Sequence, residues 1–300
     1  MITEAGANGR FDDESAARPP AAARCAWAPA LVAAGCLVTA VVAGGHPVAG
    51  PVTAAVSAVL VAGLVGFARA AGTRRSSPSG AQSVAALAAC IVTAIWVLRG
   101  AGSVLERAGF AGASSVALWP LPLVLALGLY GPLSRIRALG LVNDWFRRGT
   151  INRPGLWLTA AIVPVAALAL VLWSLATGED GSASEAYRRI LADQGVVVLV
   201  LGALVFSAVN AAAEEGAYNG VAQRAFGLDG GRVFAVVLAA VMFGASHWYG
   251  FPDGWWGVAL ATAYGIVLSV LRQVSRGLLL PWVAHVLADL TIVALLLTLW

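Results

Sequence analysis

Residues 196–226 read VVVLVLGALVFSAVNAAAEEGAYNGVAQRAF, and this stretch decides the fold class. Its first eighteen residues carry no charged side chain. A run of about 17–25 apolar residues is what an α-helix needs to cross a bilayer. The same run then continues through two adjacent carboxylates, Glu214 and Glu215, before the first arginine, Arg224. A charged group at bilayer depth costs about 2.5–3.5 kcal/mol on insertion scales. Two such groups side by side in an apolar helix therefore require a reason.

Outward from this stretch, the chain repeats the pattern. Apolar runs occupy residues 28–45, 48–68, 81–98, 115–133, 156–176, 196–226, 233–249, 256–271 and 278–300. The fold class expected is all-α, a polytopic membrane helix bundle of about 8–9 transmembrane helices. Pro51 in the second run and Pro120 and Pro122 in the fourth predict kinks. The run at 256–271 is short and predicts a tilted or partial helix. Composition agrees: 60% of the 300 residues are hydrophobic and 11% are charged, against about 25% charged in soluble domains. The division expected is a disordered cytoplasmic tail over 1–26, five N-terminal transmembrane helices within 27–193, and the chemistry-bearing helices over 194–300.

The net charge of +4 comes from arginine alone, because the chain has no lysine. These arginines cluster between apolar runs, which is an orientation signal rather than a nucleic-acid footprint, so no nucleic-acid partner is expected. Arg69, Arg74 and Arg75 follow the second run. Arg135, Arg137, Arg147, Arg148 and Arg153 follow the fourth, Arg224 and Arg232 the sixth, and Arg272 and Arg276 the eighth. The loop after the fifth is acid-rich, with Glu179, Asp180, Glu185 and Asp193 against Arg188 and Arg189, and the loop with Arg99, Glu106 and Arg107 fits the alternation least. Arginine thus prefers alternate loops, which predicts a cytoplasmic N-terminus. The Lys-free, Ala-rich composition is that of a GC-rich bacterial genome, so the location expected is the bacterial inner membrane. Cys25, Cys36 and Cys90 lack metal-ligand spacing and read as packing residues. His46 reads as a solvated loop residue beside Pro47. Trp248, Tyr249, Trp255 and Trp256 read as an outer interfacial belt.

Five ionisable residues lie at depth: Glu214, Glu215, His247, His285 and Asp289. Measured from the nearest arginines at the helical rise, Glu214 lies about 15 Å in, His285 about 13–14 Å and His247 about 22 Å before any tilt. Three helices thus bring an acid and two imidazoles toward a common level. His285 and Asp289 are i, i+4 and share a face, as do Glu215 and Asn219, while Glu214 shares the neighbouring face with Tyr218. Asp289 is placed to orient His285, and Asn219 to hydrogen-bond Glu215. Two adjacent carboxylates in a low dielectric cannot both ionise cheaply, which suits one of them to proton transfer. Asn210, Ser207 and Ser246 read as hydrogen bonds between helices.

Three motifs in order carry a family resemblance. Glu214-Glu215-Gly-Ala-Tyr218-Asn219-Gly220 resembles the E-E-x-x-x-R-G motif of the CAAX prenyl endopeptidase and bacteriocin-processing (CPBP, or Abi) family. Phe243-Gly-Ala-Ser-His247 resembles its F-x-x-x-H motif, and His285-Val-Leu-Ala-Asp289 its H-x-x-x-N/D motif. The resemblance covers roughly residues 194–300. It implies an intramembrane endopeptidase acting on a peptide or membrane-protein substrate within the lipid bilayer. In it, Glu214 and His247 activate a water, and His285 with Asp289 stabilises the oxyanion. Tyr218, Asn219 and Phe243 are supporting positions. A zinc ion is the alternative cofactor, and its ligand set would be Glu214, His247 and His285, although the H-E-x-x-H motif of common zinc proteases is absent.

Two departures from the family pattern stand out. Asn219 occupies the motif's arginine position and removes a cation that would face Glu215. Asp289 ends the third motif in place of Asn, and as a carboxylate it would repel an oxyanion. Asn219 motivates a rival reading, a weak or inactive member acting as a membrane scaffold or immunity protein. Buried carboxylates and histidines also admit a proton-coupled transporter. A serine protease pairing Ser246 with His285 is a further rival, without the usual G-x-S-G loop.

Overall fold

The computed structural model describes residues 35, 62–63, 65–66, 80–110, 117–130, 133, 147–178 and 195–298. The runs expected at 28–45 and 48–68, the tail over 1–26 and the acidic loop 179–194 lie outside these residues, apart from the few just named. Among the described residues every regular element is helical. They are α1 (Gly80–Arg107), α2 (Leu121–Tyr130), α3 (Arg153–Thr177), α4 (Val196–Glu214), a π-helical segment (Glu215–Ala222), α5 (Gln223–Ser246), a short 3₁₀ turn (His247–Tyr249), α6 (Gly254–Ser275) and α7 (Leu279–Thr298).

Five helices are long and apolar enough to cross a membrane: Gly80–Arg107, Arg153–Thr177, Val196–Leu228, Gly254–Ser275 and Leu279–Thr298. Leu121–Tyr130 and Gly230–Ser246 are shorter apolar helices. The helix bundle expected from the hydropathy is present, but the count among the described residues is five long helices and two short ones. Two runs differ in form. Within the described part of the run at 115–133 the helix is Leu121–Tyr130, 10 residues, with Pro120 and Pro122 at its start, where proline fits, rather than inside a span. The run at 256–271 becomes a full helix of 22 residues, because Arg272, Gln273 and Ser275 continue the helix beyond the apolar stretch.

Chain breaks follow local chemistry. The helix through α4 and the π segment continues to Leu228 and breaks at Gly231, whose φ of 82° is left-handed backbone that suits glycine. Asn152 caps α3 by accepting from the Gly155 N–H at 2.8 Å, and Gly178 closes it at φ 68°. Before α3, residues 147–152 are stitched to the α6–α7 turn. Thr150 N–H donates to Ser275 O at 2.7 Å, Leu278 N–H to Arg147 O at 2.9 Å and Leu279 N–H to Arg148 O at 3.2 Å. The Asn152 side chain adds a bond to Val274 O at 2.9 Å. Gly149 and Gly277 cross so closely that a β-carbon on either would strike the other's backbone. Gln273 reaches Arg232 O at 3.4 Å. Arg147, Arg148, Arg232, Arg272 and Arg276 therefore gather at one end of the bundle. Aromatic contacts mark the other end, where Trp173 meets Phe251 at 5.4 Å and Trp248 meets Trp255 at 4.8 Å. The Tyr249 side chain lies outside the described residues.

Small residues let the central helices approach closely. Ala85, Ala88 and Ala89 of α1 pack in one core with Ala217, Ala222 and Phe226. Gly244 of α5 faces Thr262 and the Val258 carbonyl of α6 without room for a side chain, and Gly265 of α6 lies against Ala240. The first turns of α4 face outward, with Val196, Val197 and Leu201 exposed, whereas every residue of Glu215–Ala222 is buried. The two glutamates thus sit where the span turns from the periphery into the bundle.

Candidate active site

The site forms where the π segment, α7, α6 and the end of α5 meet. In a π segment the ladder runs i→i+5, a local widening often found at functional sites. Here it holds Glu215 and Asn219 in register: the Asn219 amide donates to Glu215 Oε2 at 2.7 Å. The amide oxygen of Asn219 accepts from the Ser269 hydroxyl on α6 at 2.7 Å, and Gln223 donates to the Ser269 carbonyl at 2.9 Å. A neutral relay of Asn219 and Ser269 therefore stands where the motif carries an arginine.

His285 is the centre. Its Nδ1 lies 2.9 Å from Glu215 Oε1 and its Nε2 3.3 Å from Glu214 Oε2. Asp289 Oδ1 is farther, at 3.7 Å from Nε2, beyond hydrogen-bond length. The other Asp289 oxygen accepts from Asn210 of α4 at 3.1 Å. The group that orients the ring is thus Glu215 rather than Asp289, and the expectation from the i, i+4 spacing is corrected. One turn of helix brings Asp289 alongside, but the shorter bond comes from a neighbouring helix. Phe243 and Tyr264 wall the imidazole edge-on, each with its ring centre 5.6 Å away.

Exposure divides the carboxylates. The Glu215 side chain is 1% exposed and His285 3%, whereas Glu214 retains 23%. Glu214 Oε2 is buried and has no hydrogen-bond partner among the described residues, because its approach to His285 Nε2 is off the donor direction. Glu214 is therefore the carboxylate with access, while its Oε2 faces His285 Nε2 at 3.3 Å.

His247 opens the 3₁₀ turn beyond α5. Its Nδ1 lies 2.8 Å from the Phe243 carbonyl and 3.3 Å from Ser246 Oγ. A carbonyl can only accept, so Nδ1 carries a proton, and in the neutral ring Nε2 keeps its lone pair. The ring packs on Phe243 at 4.5 Å, and Phe243 in turn contacts His285 and, at 5.5 Å, Tyr218. The imidazole is within electrostatic reach of Glu214 and Asp289. The structure thus gathers Glu214, Glu215, His285 and Asp289 by direct contact, and sets His247, Phe243, Tyr218 and Asn219 around them.

Two readings meet geometry that does not suit them. Ser246 donates to the Phe243 carbonyl at 2.6 Å, and both His285 nitrogens face carboxylates, so no Ser246–His285 pair forms. No group of three or more His, Cys, Asp or Glu among the described residues is placed to hold a metal ion. Among the described residues, Glu214, His247 and His285 are therefore not gathered as a zinc ligand set.

Sequence reading passed over Ser269 and Tyr264, which stand in an apolar span without motif spacing. Asn210 had a signal: it stands four residues before Glu214, on the site's face of α4. Its hydrogen bond does join two helices, as expected, and the group it holds is the site carboxylate Asp289.

Residues 196–291 match the family model described as type II CAAX prenyl endopeptidase Rce1-like, in accord with the CPBP resemblance. The matched region begins with α4 and contains Glu214, Glu215, His247, His285 and Asp289. No curated protein and no solved structure matches the chain.

Proposed function

We propose that this chain is an intramembrane endopeptidase that hydrolyses a peptide bond in a peptide or membrane-protein segment. One observation carries the reading: a partly exposed carboxylate, Glu214, stands 3.3 Å from an imidazole held through its other nitrogen by a second, fully buried carboxylate, Glu215. The match of the surrounding helices to an endopeptidase family model supports the same class.

The chemistry follows from the groups present. Glu214, assisted by the Nε2 lone pair of His247, takes a proton from water. The oxygen adds to the scissile carbonyl carbon, and the carbonyl electron pair moves onto oxygen. His285 Nε2, fixed by Glu215 through Nδ1, donates to that oxyanion; an oriented donor in a dry site can contribute about 2.7–4 kcal/mol to the barrier. Collapse breaks the C–N bond, and the proton held by Glu214 passes to the leaving amine. Products are a carboxylic acid and an amine, which the acid's proton converts to carboxylate and ammonium. Asp289 serves by anchoring α4 to α7 through Asn210.

The arginine end is assigned to the cytoplasm of a bacterial inner membrane, in accord with the positive-inside rule. The test is cleavage of apolar fluorogenic peptides by the purified chain in lipid nanodiscs. Glu214→Ala and His247→Ala are each expected to lower kcat by about 10²–10⁴-fold, the range of general acid–base catalysis. Equal cleavage by all three proteins removes the mechanism. Proton flux into liposomes carrying the wild type, with no cleavage, would instead favour the transporter reading.

A further inference from the structure

Tyr264 stands midway along α6, and its ring lies perpendicular to His285, with centres 5.6 Å apart and planes at 90°. A second face meets Phe243 at 6.1 Å. The next residue, Gly265, is pressed against Ala240 and Phe243 at 3.1 Å from where a β-carbon would stand, which pins this part of α6 and fixes where the tyrosine ring can lie. The Tyr264 hydroxyl is buried and has no hydrogen-bond partner among the described residues. It is within electrostatic reach of Glu215, Asp289 and Glu214, yet donates to none of them.

Buried polar atoms are almost always hydrogen-bonded, and each exception calls for an explanation, a catalytic role among them. Here two unpartnered atoms of complementary kind belong to residues that flank one imidazole: an acceptor, Glu214 Oε2, and a donor, the Tyr264 O–H. Asp289 cannot supply the donor that an oxyanion needs. It accepts from Asn210, and an ionised carboxylate has no proton to offer.

We propose that Tyr264 is a catalytic residue whose hydroxyl donates a hydrogen bond to the carbonyl oxygen of the scissile peptide as that oxygen becomes an oxyanion, alongside His285. The phenol gives up no proton: it donates through the addition step and releases the oxygen when the C–N bond breaks. This rests on the endopeptidase reading above. It also explains how a chain with Asp289 in place of a donating Asn keeps two donors on the oxyanion.

The experiment uses the full chain in lipid nanodiscs with a pool of quenched fluorogenic apolar peptides, comparing wild type, Tyr264→Phe, Tyr264→3-fluorotyrosine and Glu214→Ala. Tyr264→Phe is expected to lower kcat by about 10²–10³-fold, the loss seen when one oxyanion donor is removed, with KM nearly unchanged. Its unfolding midpoint is expected to match wild type, because the hydroxyl has no hydrogen-bond partner among the described residues. The fluorinated ring keeps the donor and is expected to restore turnover. A Tyr264→Phe protein as active as wild type, with Glu214→Ala inert, overturns the role of Tyr264 and leaves the endopeptidase standing. A Tyr264→Phe protein that unfolds makes the hydroxyl structural and overturns the proposal. If wild type and Glu214→Ala cleave alike, or neither cleaves, the endopeptidase reading falls and Tyr264 with it.

Discussion

Glu215 accepts from Asn219 on its own helix and faces His285 from across the bundle, so one carboxylate sets the orientation of the central ring. Glu215→Ala would leave two buried groups unpaired, each costing about 1–3 kcal/mol. We expect a matching loss in the reversible unfolding free energy measured in bicelles, together with loss of cleavage. Asp289 behaves differently because its distance to His285 Nε2 is 3.7 Å. Asp289→Asn keeps a carbonyl oxygen for Asn210 and is expected to change kcat by less than about tenfold, or 1.4 kcal/mol, in the peptide assay. Both pairs were visible as i, i+4 spacings. Only the Glu215–Asn219 pair became a hydrogen bond, because spacing on a helix gives a shared face but not the partner that a facing helix offers.

Among the elements, the π segment and the α5–α6 contact matter most. Residues 196–226 read as one long span, and the helix does run from Val196 to Leu228. Hydropathy is blind to the change of ladder at Glu215–Ala222, since it records how apolar a stretch is and not whether its ladder runs i→i+4 or i→i+5. Gly244 is more informative. A side chain there would meet Thr262 and the Val258 carbonyl, so Gly244→Val should push α5 from α6 and displace Phe243 and His247, its neighbours in sequence. Overpacking of this kind costs about 1–3 kcal/mol. A lower unfolding midpoint with sharply reduced cleavage is the expected result, and an unaltered midpoint would show that the helices can part freely.

For the whole molecule, the arginine-bearing segments converge through the bonds of residues 147–152 to the α6–α7 turn, while the tryptophan pairs lie opposite. A membrane-impermeant thiol reagent should therefore label Arg276→Cys only in inverted vesicles and Asp253→Cys only in spheroplasts, in a background where the native cysteines are replaced by alanine. The reverse pattern would invert the orientation. The alternating arginine pattern already predicted which loops share a side; the crossing of Gly149 over Gly277 shows how two of them are locked together.

Hydropathy and the placement of charge were enough to establish a helical membrane protein and which ionisable residues needed a partner. These properties are written residue by residue, because lipid penalises each exposed charge and sets the length of each helix wherever the rest of the chain lies. Which partner each group finds depends on distances between helices, and those arise from packing. Room made at Gly244 and Gly265, the widened turn after Glu214, and the strap before α3 bring Tyr264 to His285, Asn210 to Asp289 and Ser269 to Asn219. No motif spacing marks those three together, because Asn210 stands on α4 while Tyr264 and Ser269 stand on α6, and only folding brings the two helices to one site.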